Sequence, residues 1–131
     1  MKHTLFIYGT LLPGLRLEAE MHGARFVGPA HILGRLIDVG YYPGLLRGDG
    51  QVTGEVYEVD DAQLARLDGV EGMVHGDRAA SQYWREEVTV LSGPLQGQRV
   101  ETYLYNRPVD GCTPIAHGDY RRYIREVGRE S

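Results

Sequence analysis

Short runs of β-branched and aromatic residues, repeatedly interrupted by glycine, make up most of this 131-residue chain. Such runs predict short strands, and the 18 glycines allow the sharp corners of a small, strongly curved sheet. The helix signals are too short for the strand–helix units of a doubly wound sheet. We therefore predict an α+β fold: a small mixed, barrel-like sheet of about six strands with two or three peripheral helices. The length suits a single domain, residues 1–131.

Clear strand patterns occur near the start of the chain and again after residue 82. Residues 3–8 predict the first strand, and residues 83–92 and 99–106 predict the last two. Between them, the alternating segment "QVTGEVYEV" predicts a strand with two different faces. The segment "ARFVGPAHILGRLIDVG" predicts two strand pieces interrupted at Gly28-Pro29, and "YYPGLLRGDG" predicts a tight connection.

Helix signals occur in three segments, residues 15–23, 60–69 and 118–128. Asp60 is placed to cap the second helix, with Gln63 in the position of a capping box and Gly69 as its end. Asp119 is placed to cap the third helix, whose apolar residues recur at helical spacing. All three helices are short, so they belong at the periphery of the sheet.

Charge and cysteine content exclude several classes of protein. Lys and Arg number 14 against 18 Asp and Glu, and no basic run occurs, which argues against nucleic acid as a partner. The single cysteine, Cys112, cannot form an internal disulfide and indicates a reducing compartment. No apolar run reaches membrane-spanning length, and the N-terminus lacks the pattern of a signal peptide. We predict a cytoplasmic protein without membrane or nucleic-acid partners.

Several common kinds of catalytic site are also excluded by their missing motifs. The segment "YGTLLPG" lacks the lysine and the glycine spacing of a P-loop, and no G-x-G-x-x-G follows a strand. The five histidines lack metal-ligand spacing, so no metal site is expected. No serine has a nucleophile-elbow setting, and Cys112 is interpreted as an incidental loop thiol.

The stretch "FIYGTLLPG", residues 6–14, allows two interpretations. A strand that ends in an aromatic residue, a glycine and a hydroxyl before Pro-Gly is consistent with a plain tight turn. The same turn is also suited to present backbone N–H groups to a ligand. A glycine at position 9 would let a ligand approach the backbone closely.

Glu71 stands in an unusual place, just past the second predicted helix and between Gly69 and Gly72. The helix dipole does not favour an acid at its C-terminal end, and Glu71 has no lysine partner at i+4. Composition alone favours a solvated loop glutamate. A glutamate that faced inward would instead have a raised pKa, which suits a general base.

Taken together, these segments resemble the gamma-glutamylcyclotransferase-like family, particularly its small members related to gamma-glutamylamine cyclotransferase. The resemblance extends over nearly the whole chain and rests on the order and spacing of seven segments. They are "FIYGTLLPG", "GARFVGPA", "YYPGLL", "VTGEVYEV", "LDGVEG", "YWREEVTV" and "ETYLYN".

The resemblance implies a six-stranded barrel-like core and an intramolecular reaction. The α-amine of a γ-glutamyl group attacks its own γ-carbonyl, which releases 5-oxoproline and a free amine. The substrate is a small γ-glutamyl compound, and no cofactor is implied because both reacting groups belong to one molecule. A non-catalytic member that binds a small carboxylate or a protein partner is the alternative, and the chain is expected to be a monomer or a homodimer.

The resemblance also implies roles for individual residues. Glu71 would be the general base. Tyr103 would position the γ-glutamyl group, although Tyr105 shares its strand face and a barrel-lining role is open for both. The backbone N–H groups of one turn would bind the substrate's α-carboxylate or the developing oxyanion. This turn comprises Tyr8, Gly9, Thr10 and Leu11.

Three further residues have roles of other kinds or with alternatives. Arg85 either binds a substrate carboxylate or pairs with a nearby acid. Asp68 is interpreted as fixing the turn before Glu71, and His75 as a loop residue. Where many relatives have an asparagine near the first helix, this chain has Leu17 and Glu18, which leaves the amine side of the pocket undefined.

One geometric question separates the enzyme from the binding protein. An enzyme requires Glu71 to face a cavity that also contains the turn of residues 9–11. A Glu71 exposed to solvent would favour the non-catalytic interpretation.

Overall fold

The structure, a computed structural model, describes residues 1–129. Two single turns of 3₁₀ helix cover Glu18–Met21 and Arg78–Ala80. The six strands, in chain order, are β1 (Lys2–Ile7), β2 (Arg25–Asp38), β3 (Pro43–Asp60), β4 (Tyr83–Ser92), β5 (Arg99–Tyr105) and β6 (Thr113–Ile115). The two α-helices are α1 (Asp61–Val70) and α2 (Tyr120–Val127).

Five of the strands close into a mixed barrel. They are hydrogen-bonded in the order β3, β1, β5, β4, β2, and β2 pairs again with β3 to complete the ring. Strands β1 and β5 run parallel, whereas the other pairs are antiparallel. Strand β6 adds to β2 outside this ring. The predicted α+β barrel-like fold is confirmed.

Strands β2 and β3 form one long hairpin, which corrects two predictions. The predicted interruption at Gly28-Pro29 is wrong, because β2 runs on through a register shift between Phe26 and Gly28. Such a bulge bends a strand without ending it. The predicted tight connection at residues 41–50 is largely wrong as well, since β3 already begins at Pro43. Its glycines let this 18-residue strand curve around the barrel.

The two α-helices begin where the sequence predicts. Asp60 accepts a hydrogen bond from the Gln63 N–H at 2.8 Å, and Asp119 accepts one from the Arg122 N–H at 3.3 Å. The Gln63 side chain does not complete a capping box, because its amide donates to the His22 carbonyl at 2.9 Å. Residues 15–23 contain only the 3₁₀ turn at Glu18–Met21 instead of the predicted helix.

Strand β6 was not predicted. It has three residues, one of them Pro114, and pairs only with residues 36–38 of β2. A strand this short shows no alternation, and a proline at a sheet edge reads as a breaker.

Alternate residues of β1 pack into two separate apolar clusters, which places the site between the barrel and α1. Phe6 belongs to the larger cluster, together with residues of every strand and with Tyr120 of α2. Leu5 and Ile7 face the smaller cluster, which contains Leu67 of α1. Strand β1 is therefore buried on both faces, and its C-terminal end opens into the region beside α1.

Candidate active site

A cavity of about 270 Å³ lies where β1 ends and meets the C-terminus of α1. It is lined by both features on which the enzyme interpretation depends, the turn of residues 8–11 and Glu71. The residues that line it are Phe6, Ile7, Tyr8, Gly9, Thr10, Leu11, Arg16, Leu17, Tyr42, Pro43, Val70, Glu71, Gln82, Tyr83 and Tyr103.

The segment after β1 forms a tight turn, and it also leaves three backbone N–H groups without an acceptor among the described residues. The Leu12 N–H donates to the Gly9 carbonyl at 2.9 Å, and the Leu17 N–H donates to the Thr10 carbonyl at 2.8 Å. The N–H groups of Gly9, Thr10 and Leu11 donate to no acceptor within residues 1–129. Three donors are thus available in a turn that lines the cavity.

Gly9 is required by packing against Pro43. A Cβ atom at position 9 would lie 2.6 Å from Cγ of Pro43, well inside van der Waals contact. From the sequence alone, the close approach of a ligand was the reason expected for this glycine. The structure supplies a steric reason within the protein itself.

Glu71 caps the C-terminus of α1 in a Schellman motif. The Met73 N–H donates to the Asp68 carbonyl at 2.9 Å, and the Gly72 N–H donates to the Gly69 carbonyl at 3.1 Å. Gly72 takes the left-handed conformation, with φ of 68°. The predicted helix end at Gly69 is therefore wrong, because the helix continues to Val70 and turns at Gly72.

The Glu71 carboxyl lies in the cavity without a partner in the described part of the chain. It makes no hydrogen bond or ion pair with residues 1–129. Loss of hydration raises its pKa from 4.5 to about 7. A carboxyl group with this pKa exchanges a proton readily near neutral pH.

Three tyrosines around Glu71 direct their hydroxyl protons to fixed acceptors. Tyr8 donates to the Tyr103 carbonyl and Tyr83 to the Pro43 carbonyl, each at 2.6 Å. Tyr103 donates to Oδ1 of Asp68, also at 2.6 Å. Burial raises the pKa of all three phenols, and the charge of Glu71 raises it further. Since their protons are engaged, these oxygens can only accept hydrogen bonds from a ligand.

The cavity lining also carries donors. The Thr10 hydroxyl makes no hydrogen bond with the described residues, so it is a further donor in addition to the three backbone N–H groups. The Tyr42 hydroxyl accepts from Nε2 of Gln82 at 2.6 Å, which leaves its own proton free to donate. The cavity lining thus offers two sets of groups, acceptors around Glu71, here called the acceptor side, and donors at the turn and at Tyr42, here called the donor side.

Asp68 holds Tyr103, one of the acceptors of the cavity, in place. It is 1% exposed and accepts hydrogen bonds from Tyr103 and from Nε and Nη2 of Arg85, the last two at 2.9 Å. Burial alone would raise its pKa, but these hydrogen bonds outweigh burial and hold the pKa below its usual value. His75 contacts the same carboxylate at 2.9 Å. Asp68 therefore fixes the Tyr103 hydroxyl and the end of α1 together.

Arg85 and Tyr105 lie outside the set of lining residues. The Arg85 guanidinium is occupied by Asp68 and Glu101, which favours the acid-pairing alternative for this residue over direct substrate binding. Of the two tyrosines on β5, Tyr103 lines the cavity, whereas Tyr105 packs edge-on against Tyr83.

Sequence reasoning missed four lining residues on the mouth and donor side, Arg16, Tyr42, Pro43 and Gln82. The "YYPGLL" segment contained two of them, but no spacing rule connected it to the turn after β1. Within residues 1–129 no group of three His, Cys, Asp or Glu side chains is arranged to hold a metal ion. No helix in this part of the chain is long and apolar enough to cross a membrane.

Residues 5–122 match the family model for gamma-glutamyl cyclotransferase, AIG2-like. The chain belongs to this family. It is 33% identical over 117 residues to the gamma-glutamylcyclotransferase family protein YtfP of Escherichia coli, covering 88% of this chain and 94% of that protein. It is 35% identical over 123 residues to the gamma-L-glutamyl-butirosin B gamma-glutamyl cyclotransferase of Niallia circulans, covering 91% and 76%.

Solved structures of similar proteins share the fold of this family member. A protein from Pyrococcus horikoshii superposes with a TM-score of 0.76 at 27% identity, covering 96% of each chain. An AIG2-like protein from Mus musculus superposes with a TM-score of 0.72 at 28% identity, covering 91% of this chain and 88% of the other. The closed barrel with its peripheral helices is thus the fold of the family.

Proposed function

We propose that this protein is a γ-glutamyl cyclotransferase that releases 5-oxoproline and a free amine from a small γ-glutamyl compound. The observation that carries the proposal is the shared cavity. The Glu71 carboxyl, with its pKa near 7, lines the same cavity as the unpartnered N–H groups of residues 9–11. A partly buried base in one cavity with free donors is the arrangement that acyl transfer requires.

The acceptor side of the cavity suits the α-amine of the substrate. An α-amine is mostly protonated near neutral pH, so it offers three N–H donors. Glu71 and the oxygens of Tyr103 and Tyr83 are available to accept them. This side therefore binds the ammonium group and brings it to the base.

The donor side suits the oxygen atoms of the γ-glutamyl group. The N–H groups of Gly9, Thr10 and Leu11, with the Thr10 and Tyr42 hydroxyls, are available for the α-carboxylate and for the γ-carbonyl oxygen. Charge that develops on the carbonyl oxygen during attack is stabilised by donors that are already in place.

The reaction proceeds without a second reactant. Glu71 takes a proton from the α-ammonium and passes it to solvent, and the freed nitrogen attacks the γ-carbonyl carbon to form the five-membered ring. Glu71, ionised again, then takes the second proton that this nitrogen must lose. The bond from this carbon to the leaving nitrogen then breaks, and Glu71 returns the proton to that nitrogen. Holding the chain in a ring-closing shape accounts for much of the acceleration, because both reacting groups are already joined.

The relative from Niallia circulans indicates what kind of bond is broken. Its name describes removal of a γ-glutamyl group from butirosin B. We extend to this chain only the cleavage of a γ-glutamyl amide.

The test is mass-spectrometric detection of 5-oxoproline from γ-glutamyl amines and γ-glutamyl peptides. Glu71→Gln keeps the shape of the side chain and removes its basicity, so we expect release to slow by roughly 100-fold or more. Because Glu71 must be ionised to accept the proton, kcat/KM of the native protein should rise with pH through about 7. The exposed Glu87→Gln on β4 is the matched control and should leave both unchanged.

The outcomes separate the competing interpretations. No release from a broad panel by folded protein would contradict the proposal and favour the non-catalytic alternative. Equal release by native protein and Glu71→Gln would retain the reaction and remove Glu71 from it.

A further inference from the structure

Arg16 is a charged residue of the cavity to which the proposed reaction assigns no role. Among the described residues that line the cavity, it is the only cation, as Glu71 is the only anion. The sequence motifs of the family resemblance did not include it. Its charge is therefore available for a part of the substrate that the proposed reaction leaves unassigned.

The Arg16 side chain has no counter-charge among the residues that the structure describes. It makes no hydrogen bond or ion pair with residues 1–129. Two acids follow it closely in the chain, but Glu20 contacts Arg66 at 3.6 Å, and Glu18 does not pair with Arg16. The guanidinium is thus free to bind an anion that enters the cavity.

Arg16 stands at the mouth of the cavity. It is exposed, as is Val70 on the lining, whereas Thr10 is only 8% exposed. The hydrogen bond from the Leu17 N–H to the Thr10 carbonyl, 2.8 Å long, attaches the segment of Arg16 to the turn after β1. This backbone contact keeps Arg16 on the donor side, next to the open end.

We propose that Arg16 binds a carboxylate on the leaving amine, so that γ-glutamyl amino acids and peptides are preferred over γ-glutamyl amines without an acid. This inference rests on the proposed function. A guanidinium pairs readily with a carboxylate through two parallel hydrogen bonds. It also repels a positive charge on the leaving amine, so the same residue disfavours substrates with a cationic leaving group.

The carboxylate in question belongs to the leaving group rather than to the γ-glutamyl group. The α-carboxylate shares its carbon atom with the α-amine, so an amine at Glu71 leaves this carboxylate to the N–H groups of residues 9–11, where Thr10 is 8% exposed. The nitrogen side of the scissile amide must extend the other way, toward solvent. There, Arg16 is the cation that it meets.

Two substrates that differ in one charge test this assignment. γ-Glutamyl-alanine carries a carboxylate on the leaving group, and γ-glutamyl-alaninamide has a neutral amide in its place. We expect the native protein to favour the acid by about five-fold in kcat/KM, the size of a partly exposed ion pair, and the preference to shrink as salt is added. Arg16→Gln should abolish the preference by slowing only the acid, and Arg16→Lys should retain part of it.

The control is Arg99→Gln, which removes the same charge from an exposed position on β5 outside the cavity and should keep the preference. The inference is overturned if the native protein treats both substrates alike, or if Arg16→Gln slows both equally, which would assign Arg16 to the γ-glutamyl carboxylate. Absence of 5-oxoproline from both substrates would overturn the proposed reaction itself, and this inference with it.

Discussion

Glu71 occupies a position that favours chemistry over stability. Its carboxyl has lost hydration without gaining a hydrogen bond or a cation within residues 1–129, and its pKa has risen to about 7 as a result. A protein under selection for stability alone has no use for such a group. The loss in free energy of unfolding that the single residue Glu71 causes should therefore be measurable.

Stability should depend on pH through Glu71 in a direction opposite to that of a salt-bridged acid. Its pKa is higher in the folded state than the ordinary value of 4.5, so the folded protein holds this proton more tightly than the unfolded chain. As pH rises from about 4.5 to about 7, the unfolded chain ionises first, and the free energy of unfolding falls. Glu71→Gln removes this loss and should be more stable than the native protein at pH 8 by about 1–2 kcal/mol.

Chemical denaturation at pH 8 and pH 4 measures this difference, which should nearly vanish at pH 4. Glu87→Gln, on the exposed surface of β4, provides the baseline for the same chemical change. A Glu71→Gln variant no more stable than native at pH 8 would show that the carboxyl is better solvated than its place in the cavity indicates.

At the scale of elements, the C-terminus of α1 determines where Glu71 lies. The Schellman motif turns the chain at Gly72, and the Gln82 N–H donates to the Gly72 carbonyl at 3.0 Å, which attaches the turn to β4. Asp68, one helical turn before Glu71, binds Arg85 on β4 and Tyr103 on β5. The base is thus positioned by a helix end held at both sides.

Two glycines of this helix end should respond in opposite directions to the same substitution. Gly72→Ala places a side chain at φ of 68° and 3.1 Å from Cβ of Gln82, so we expect a loss of about 1 kcal/mol and a fall in kcat as Glu71 shifts. Gly69→Ala lies within the helix with open space around its Cβ and should gain about 1 kcal/mol. Thermal and chemical unfolding distinguish the two. Equal effects would contradict the positions assigned to the helix end.

At the scale of the whole molecule, closure of the barrel brings backbones into contact without side chains between them. A Cβ atom on Gly54 of β3 would lie 2.2 Å from the carbonyl oxygen of Ile7 and 2.6 Å from Cζ of Phe6. Both contacts belong to β1, whose C-terminal end leads directly into the turn at the cavity. The site therefore depends on how closely β3 approaches β1.

Gly54→Ala should destabilise the protein by about 3 kcal/mol, because the clash involves backbone that cannot move without opening the barrel. Urea denaturation gives this value directly, and Gly69→Ala serves as a control for adding a methyl group in open space. An unchanged free energy of unfolding would mean that the barrel tolerates a wider spacing here.

The expectation of a monomer or homodimer stays a prediction at this scale, to be tested by sedimentation.

Local signals in the sequence predicted the elements that neighbouring residues determine. The caps at Asp60 and Asp119 were found because the capping contact spans three residues. Strand β4 was predicted to the residue and β5 to within one, since both have long β-type runs. The turn after β1 and Glu71 were singled out by their setting between glycines and by the family resemblance, and the cavity contains both.

Contacts between distant residues were decided only by the tertiary structure. Tyr8 meets Tyr103 across 95 residues of sequence, and no local pattern predicts which way a phenol directs its proton. The same holds for Arg85, whose partner Asp68 lies on another element, and for Arg16, which has no partner in residues 1–129. The sequence by itself determined the fold class and the residue types of the site. The division of the cavity into donor and acceptor sides exists only once the barrel has closed, because hydrogen-bond direction depends on partners that closure brings together.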